Sequence, residues 1–210
     1  MIHKLFPYLC KNYVSMEYKN RIADKLLRDK LEAMGAVLIE GPKACGKTTT
    51  AEQQAKSIIY MDDPVKQEQY KQMAQTNIRF LLEGETPRLI DEWQHVPQFW
   101  DAIRFEVDHR DDDGQFMLTG SAVPADMKEI HHTGTGRYGW LTMRPMSLWE
   151  SGESTGEVSL SDLFLTPDRI GALNKLTLPM LAFAACRGGW PKSLQKKTEK
   201  AALSQVTEYY

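Results

Sequence analysis

The residues with the clearest chemical meaning form one octet, Gly41-Pro42-Lys43-Ala44-Cys45-Gly46-Lys47-Thr48. It satisfies the phosphate-binding loop pattern GxxxxGK[ST] at every fixed position. Glycines let the backbone turn until several N–H groups converge on one anion-sized hollow where a helix starts. Lys47 then reaches toward the β- and γ-phosphates of a nucleotide, and the Thr48 hydroxyl ligates Mg²⁺. Thr49 completes the loop residues expected to touch the nucleotide. A second feature, Leu89-Ile90-Asp91-Glu92, ends an apolar run in two acids. Asp91 can hold Mg²⁺ through water, and Glu92 can polarise an attacking water as general base. Thr119, just ahead of Gly120-Ser121, offers a hydroxyl to the γ-phosphate or to that water, although such residues also form turns. Arg137, flanked by Gly136 and Gly139, reads either as a finger that neutralises charge in phosphoryl transfer or as a surface arginine.

Other features carry less. Gly134-Thr135-Gly136-Arg137-Tyr138-Gly139 spells the dinucleotide fingerprint but follows His131-His132-Thr133 and not a strand, so the match is taken as chance. Adjacent His131 and His132 point apart and have no Cys or carboxylate at ligand spacing. Asn174-Lys175-Leu176-Thr177 begins like a guanine-reading motif but lacks its Asp, which leaves adenine as the default base. Cys45 inside the loop is expected to have a lowered pKa from the helix end and from Lys47. Phosphate would occupy the same space, which argues against catalytic use of the thiol.

These residues need elements that bring them together. Ile22, Leu26, Leu27 and Leu31 recur at helical spacing within Lys19 to Ala33, with Gly35 at the stop. Buried strands are expected at Ala36–Ile39, Ser57–Met61, Arg88–Ile90 and Gln115–Thr119, with a fifth at Trp140–Met146. Helices are expected between them at Lys47–Lys56, Val65–Glu83 and Phe99–His109. Strands alternating with helices imply a parallel sheet covered on both faces. The expected organisation is an arm or short helix over 1–18, a phosphate-loop domain over 19–150, a Ser/Gly/Glu-rich linker over 151–162, and a mainly helical segment over 163–210.

Composition narrows the classes. The 210 residues are 42% hydrophobic with a net charge of −2 and a pI of about 6.2, so no global field draws the chain to nucleic acid or membrane. No basic reading helix supports nucleic-acid binding. The longest apolar run near the C-terminus, Met180 to Cys186, is far short of the ~20 residues of a membrane helix. Met1 to Cys10 lacks the ordered regions of a signal peptide. Cys10, Cys45 and Cys186 are an odd set without metal or disulfide spacing, which makes a reducing cytoplasm the expected compartment.

The phosphate loop, Asp62-Asp63, Asp91-Glu92-Trp93-Gln94, Leu118-Thr119-Gly120-Ser121-Ala122, Gly136-Arg137 and Pro145-Met146-Ser147-Leu148-Trp149-Glu150 occur in one order. In this the chain resembles AAA+-type P-loop ATPases, and more narrowly prokaryotic ATP-binding proteins that join such a domain to a C-terminal domain of unknown function. The resemblance spans about Arg21 to Glu150. It implies an α/β three-layer P-loop NTPase fold (ASCE/AAA+ type) with parallel sheet order 5-1-4-3-2 and a short mainly helical C-terminal segment. It further implies ATP and Mg²⁺ as ligands, with Lys47 and Thr48 on phosphate and metal, Asp91 supporting the metal and Glu92 activating water. Thr119 or Ser121 would sense the γ-phosphate, and Arg137 is the finger candidate, often supplied in trans. An unidentified protein partner and a homo-oligomer are the expected partners. Family members continue beyond a turn like Gly188-Gly189-Trp190-Pro191, so only the opening of the C-terminal domain is expected here. ATP hydrolysis that drives or times a conformational change is the leading expectation; a nucleotide-gated module with negligible turnover and a small-molecule kinase are the alternatives.

Overall fold

Short apolar runs separated by crossover segments can only pair in parallel, because each crossover returns the chain to the same end of the sheet. A computed structural model, which describes residues 18–120, 134–169 and 171–208, shows five such strands. They are β1 (Ala36–Glu40), β2 (Ser57–Tyr60), β3 (Arg88–Asp91), β4 (Phe116–Gly120) and β5 (Tyr138–Thr142). All pair in parallel in the order β2-β3-β4-β1-β5, the expected 5-1-4-3-2 sheet seen from its other edge. Register places Asp91 beside Thr119 and Glu40 between Gly120 and Thr142. The C-terminal strand ends therefore share one edge.

Successive strand residues point to opposite faces, and both faces are covered. Ala36, Leu38, Ile90, Phe116 and Leu118 pack with Leu81, Leu82, Phe99, Trp100 and Ile103, supplied by α4 (Arg79–Leu82) and α5 (Phe99–His109). The longer, exposed α3 (Gln67–Asn77) leans on that layer through Tyr70, Met73 and Ala74. Val37, Ile39, Leu89, Met117 and Leu141 pack with Ala23, Leu27, Leu31 and Ala51, supplied by α1 (Ile22–Leu31) and α2 (Lys47–Glu52). This is a three-layer α/β fold.

Several expected elements shift for local reasons. Ile22 and Leu26 are 51% and 45% exposed, whereas Ala23, Asp24, Leu27 and Leu31 face inward. The helix is turned because buried Asp24 accepts from the Arg21 N–H and the Tyr18 hydroxyl. α2 stops at Glu52, short of the expected Lys56, and Lys56 instead donates its N–H to the Pro87 carbonyl. The single helix expected over Val65–Glu83 is two, since the Asn77 side chain accepts from the Arg79 N–H and restarts the chain. β5 begins at Tyr138, two residues early, because that ring stacks on Trp100 at 4.0 Å. It ends at Thr142, ahead of Pro145, which has no N–H to give a ladder.

Beyond the sheet lie α6 (Leu148–Ser151), α7 (Leu160–Leu165), α8 (Leu178–Arg187), α9 (Pro191–Leu194) and α10 (Glu199–Thr207). α7 opens inside the expected linker, where Ser159 and Asp162 form a reciprocal capping box. The Gly188–Pro191 turn seats on the sheet layer: Met146 donates its N–H to the Gly189 carbonyl at 2.7 Å, and Trp190 packs against the cluster containing Cys45 and Met143. Among the described residues no helix is long and apolar enough to cross a membrane.

Candidate functional site

The chain leaves β1 at Glu40 and turns through backbone conformations that favour glycine. Gly41 has φ +148° and Gly46 φ +105°. A Cβ on Gly41 would stand 2.1 Å from the Met143 carbonyl oxygen, so only glycine passes β5 there. Ala44, at φ +62°, accepts a left-handed conformation despite its side chain. Such alternation turns successive N–H groups toward one hollow. Lys47 is 6% exposed, and its ammonium group donates to the carbonyls of Gly41 and Pro42 at 2.9 Å each. Those bonds fold Lys47 back over the loop. Pro42, Lys43 and Thr49 form the exposed rim.

At the adjoining strand ends, Thr48 Oγ1 donates to Asp91 Oδ1 at 2.7 Å, and Thr119 Oγ1 donates to the same oxygen at 2.5 Å. Three residues from α2, β3 and β4 thus meet on one carboxylate. Burial raises the Asp91 pKa above the usual carboxylate range; the Thr119 and Thr48 hydroxyls pull it down, and the charges of Glu92 and Asp62 add to the rise. Glu92 follows in a left-handed conformation, φ 53° and ψ 46°, which costs a residue with a Cβ about 1 kcal/mol or more. The Gln94 amide donates to Glu92 Oε2, and a Cβ on Gly120 would stand 2.5 Å from Gln94 Oε1. Glycine at the end of β4 therefore makes room for the side chain that holds Glu92.

Two expectations meet a different geometry. Arg137 lies just before β5, where its carbonyl accepts from the Ala36 N–H at the start of β1. The phosphate loop leaves the other end of β1, roughly 16 Å away at ~3.3 Å per residue. Arg137 instead donates to Asp108 Oδ1 at 2.7 Å and holds that carboxyl below its usual range. It does not meet its own chain's loop. The Cys45 thiol is fully buried, and burial raises its pKa against the lowering effects of Lys47 and Arg21, the reverse of the expected activation. Ser121, His131 and His132 lie outside the described residues.

The family model described as an AAA domain matches residues 34–151, more than half of the 210 residues. The chain belongs to the AAA family. Solved structures similar to this AAA protein include the Walker-type ATPase paby2304 of Pyrococcus abyssi, 12% identical, with 91% of this chain and 72% of that one covered and a TM-score of 0.49. Another is PCH-2 of C. elegans, 15% identical, with 89% and 66% covered and a TM-score of 0.44. Among curated proteins none matches in sequence.

Around the AAA site stand residues that sequence reasoning passed over. Gln94 was legible only as a member of a motif, since its bond to Glu92 depends on the left-handed turn between them. Arg21 and Glu150 pair behind the loop at 2.9 Å with side chains 5% and 6% exposed. Glu150 had a local signal, the Ser147-x-x-Glu150 spacing of a capping box, which the structure forms. Arg21 had none.

Proposed function

We propose that this chain binds ATP with Mg²⁺ and hydrolyses it to ADP and phosphate, using the event to drive a conformational change. The carrying observation is the convergence of Thr48 and Thr119 on one oxygen of Asp91 beside the Gly41–Thr48 loop. This donor set fits Mg²⁺, which prefers a few hard oxygens and takes its other ligands from phosphate and water. Thr48 would hold the ion directly and Asp91 through water, and the bound ion would neutralise charge on the transferred phosphoryl group. The loop N–H groups and the Lys47 ammonium bind the phosphate chain. Glu92 takes a proton from the water that attacks the γ-phosphorus; the bond to the bridging oxygen breaks and ADP leaves. Thr119 sits where it can report on the γ-phosphate. The domain boundaries at 19–150 and beyond, a homo-oligomer and a cytoplasmic setting belong to the same proposal.

A second reading rests on one contact. Gln94 engages a Glu92 oxygen, and a base so restrained suits a module that holds ATP as a switch and turns it over slowly. Two variants test both readings. Lys47→Ala removes a cation that meets ground-state phosphate, so Mg·ATP no longer raises the melting temperature. Glu92→Gln acts on the water in the transition state: binding persists and phosphate release slows by ~10²–10⁴-fold. Wild-type protein that melts identically with and without millimolar Mg·ATP would sink the proposal. Strong binding with negligible phosphate release in wild type would select the switch.

A further inference from the structure

Arg21 sits behind the phosphate loop and is 7% exposed. Its guanidinium reaches three separate segments. Nε donates to Glu150 Oε1 at 2.9 Å, Nη1 to the Cys45 carbonyl at 3.0 Å, and Nη2 to the Arg144 carbonyl at 2.8 Å. Glu150 is itself pinned: Oε1 also accepts from the Ile22 N–H at 2.9 Å, and Oε2 from the Ser147 N–H at 2.7 Å and its hydroxyl at 2.9 Å. The two charges cancel, so the pair adds little field at the loop. A buried ion pair is a weak source of stability compared with an apolar replacement. What Arg21 supplies is direction.

The direction follows from peptide geometry. The Cys45–Gly46 bond is trans, since the one cis peptide among the described residues is Thr86–Pro87. In a planar trans peptide the C=O and N–H point opposite ways. Gripping the Cys45 carbonyl from behind therefore turns the Gly46 N–H away from the guanidinium, and a charge-assisted bond to the carbonyl polarises that peptide toward better donation. The space behind is closed as well: a Cβ on Gly46 would stand 3.1 Å from Arg21 Nη1, 3.6 Å from Met143 Cε and 3.7 Å from Pro191 Cγ. Flipping the peptide would break the Nη1 bond to the Cys45 carbonyl.

We propose that Arg21, anchored by Glu150, is a positioning residue that fixes the Gly46 N–H of the phosphate-binding loop for an anionic phosphate group. This rests on the reading of the loop as a phosphate site. Lysine at position 21 keeps the charge for Glu150 but lacks the planar fork that reaches both carbonyls.

The test is equilibrium binding of ATP and of inorganic tripolyphosphate, each in EDTA, to wild type, Arg21→Lys and Ile103→Ala. Melting temperatures are recorded for each protein. Ile103→Ala destabilises the opposite layer and serves as the structural control. Arg21→Lys is expected to weaken ATP and tripolyphosphate by the same factor, tenfold or more, because the lost contact is to phosphate. Ile103→Ala, at an equal or larger drop in melting temperature, is expected to bind both like wild type. In wild type the Gly46 amide proton is expected to move downfield as tripolyphosphate is added, a readout that holds even if Arg21→Lys does not fold. Wild-type affinity in folded Arg21→Lys, or a Gly46 amide indifferent to bound tripolyphosphate, overturns the positioning role alone. Failure of wild type to bind either ligand overturns the phosphate site and this role with it.

Discussion

Asp91 is the residue where stability and chemistry pull apart. Its folded-state pKa is raised, chiefly by burial, so the ionised form that the proposed Mg²⁺ site requires is disfavoured by the fold at neutral pH. That penalty is fully present above the folded pKa, shrinks as the pH falls through it, and is gone below the unfolded value, about 3.9 for Asp. Asp91→Asn keeps an acceptor for Thr48 and Thr119 while removing the buried charge. We expect the nucleotide-free melting temperature to rise by about 2–4 °C, the shift that ~1 kcal/mol produces in a chain of this size. The Mg²⁺-dependent part of the ATP stabilisation should vanish. Melting curves with ATP, in EDTA and in Mg²⁺, check both, and a lower nucleotide-free melting temperature would refute the desolvation account. At this scale Lys47, Thr48, Asp91 and Thr119 were legible because each sits at a fixed spacing or at the end of an apolar run. Arg21 was not: its side-chain partners lie 24, 123 and 129 residues along the chain, and no local pattern encodes such meetings.

At the scale of elements, strands were read more securely than helices. Four-residue apolar runs such as Ala36–Ile39 have one use in a sheet buried on both faces. Helix faces depend on neighbours, and α1 turned to bury Asp24 in place of Ile22 and Leu26. α6 shows how a cap and a distant ion pair share one group. Burial alone would raise the Glu150 pKa, but the Ser147 and Ile22 N–H groups, the Arg21 guanidinium and the Ser147 hydroxyl together lower it. A lowered folded-state pKa contributes stability above the unfolded value, about 4.3 for Glu, and that stability is lost as the pH falls through the folded value. Glu150→Gln should therefore lower the melting temperature at neutral pH and converge on wild type in acid, below about pH 4. Parallel curves offset equally from about pH 7 to pH 3 would show that the carboxylate's charge is not what the cap and Arg21 use.

Across the whole molecule the decisive fact is that a parallel sheet has two unlike edges. Thr48, Asp91, Thr119 and the phosphate loop gather at the C-terminal edge, the usual place for a ligand in an open α/β sheet. Arg137 enters β5 at the opposite edge and is 45% exposed in its side chain while paired with Asp108. The glycine-flanked sequence suggested a finger, but its distance from the loop depends on strand direction, which the sequence around Arg137 does not carry. A finger role for Arg137 accordingly requires a second chain, packed so that one molecule's N-terminal sheet edge meets its neighbour's loop. If it acts so, phosphate release per chain rises with protein concentration, and Arg137→Ala lowers turnover by ~10³-fold with nucleotide affinity nearly unchanged. Arg137→Ala and Lys47→Ala are each inactive alone under this arrangement, because one lacks the finger and the other the site. Mixed, they form interfaces where an intact Arg137 faces an intact Lys47, and a fraction of the activity returns. A concentration-independent rate with no recovery on mixing removes the second chain from the mechanism, and unchanged turnover in Arg137→Ala leaves this residue with its structural pairing to Asp108.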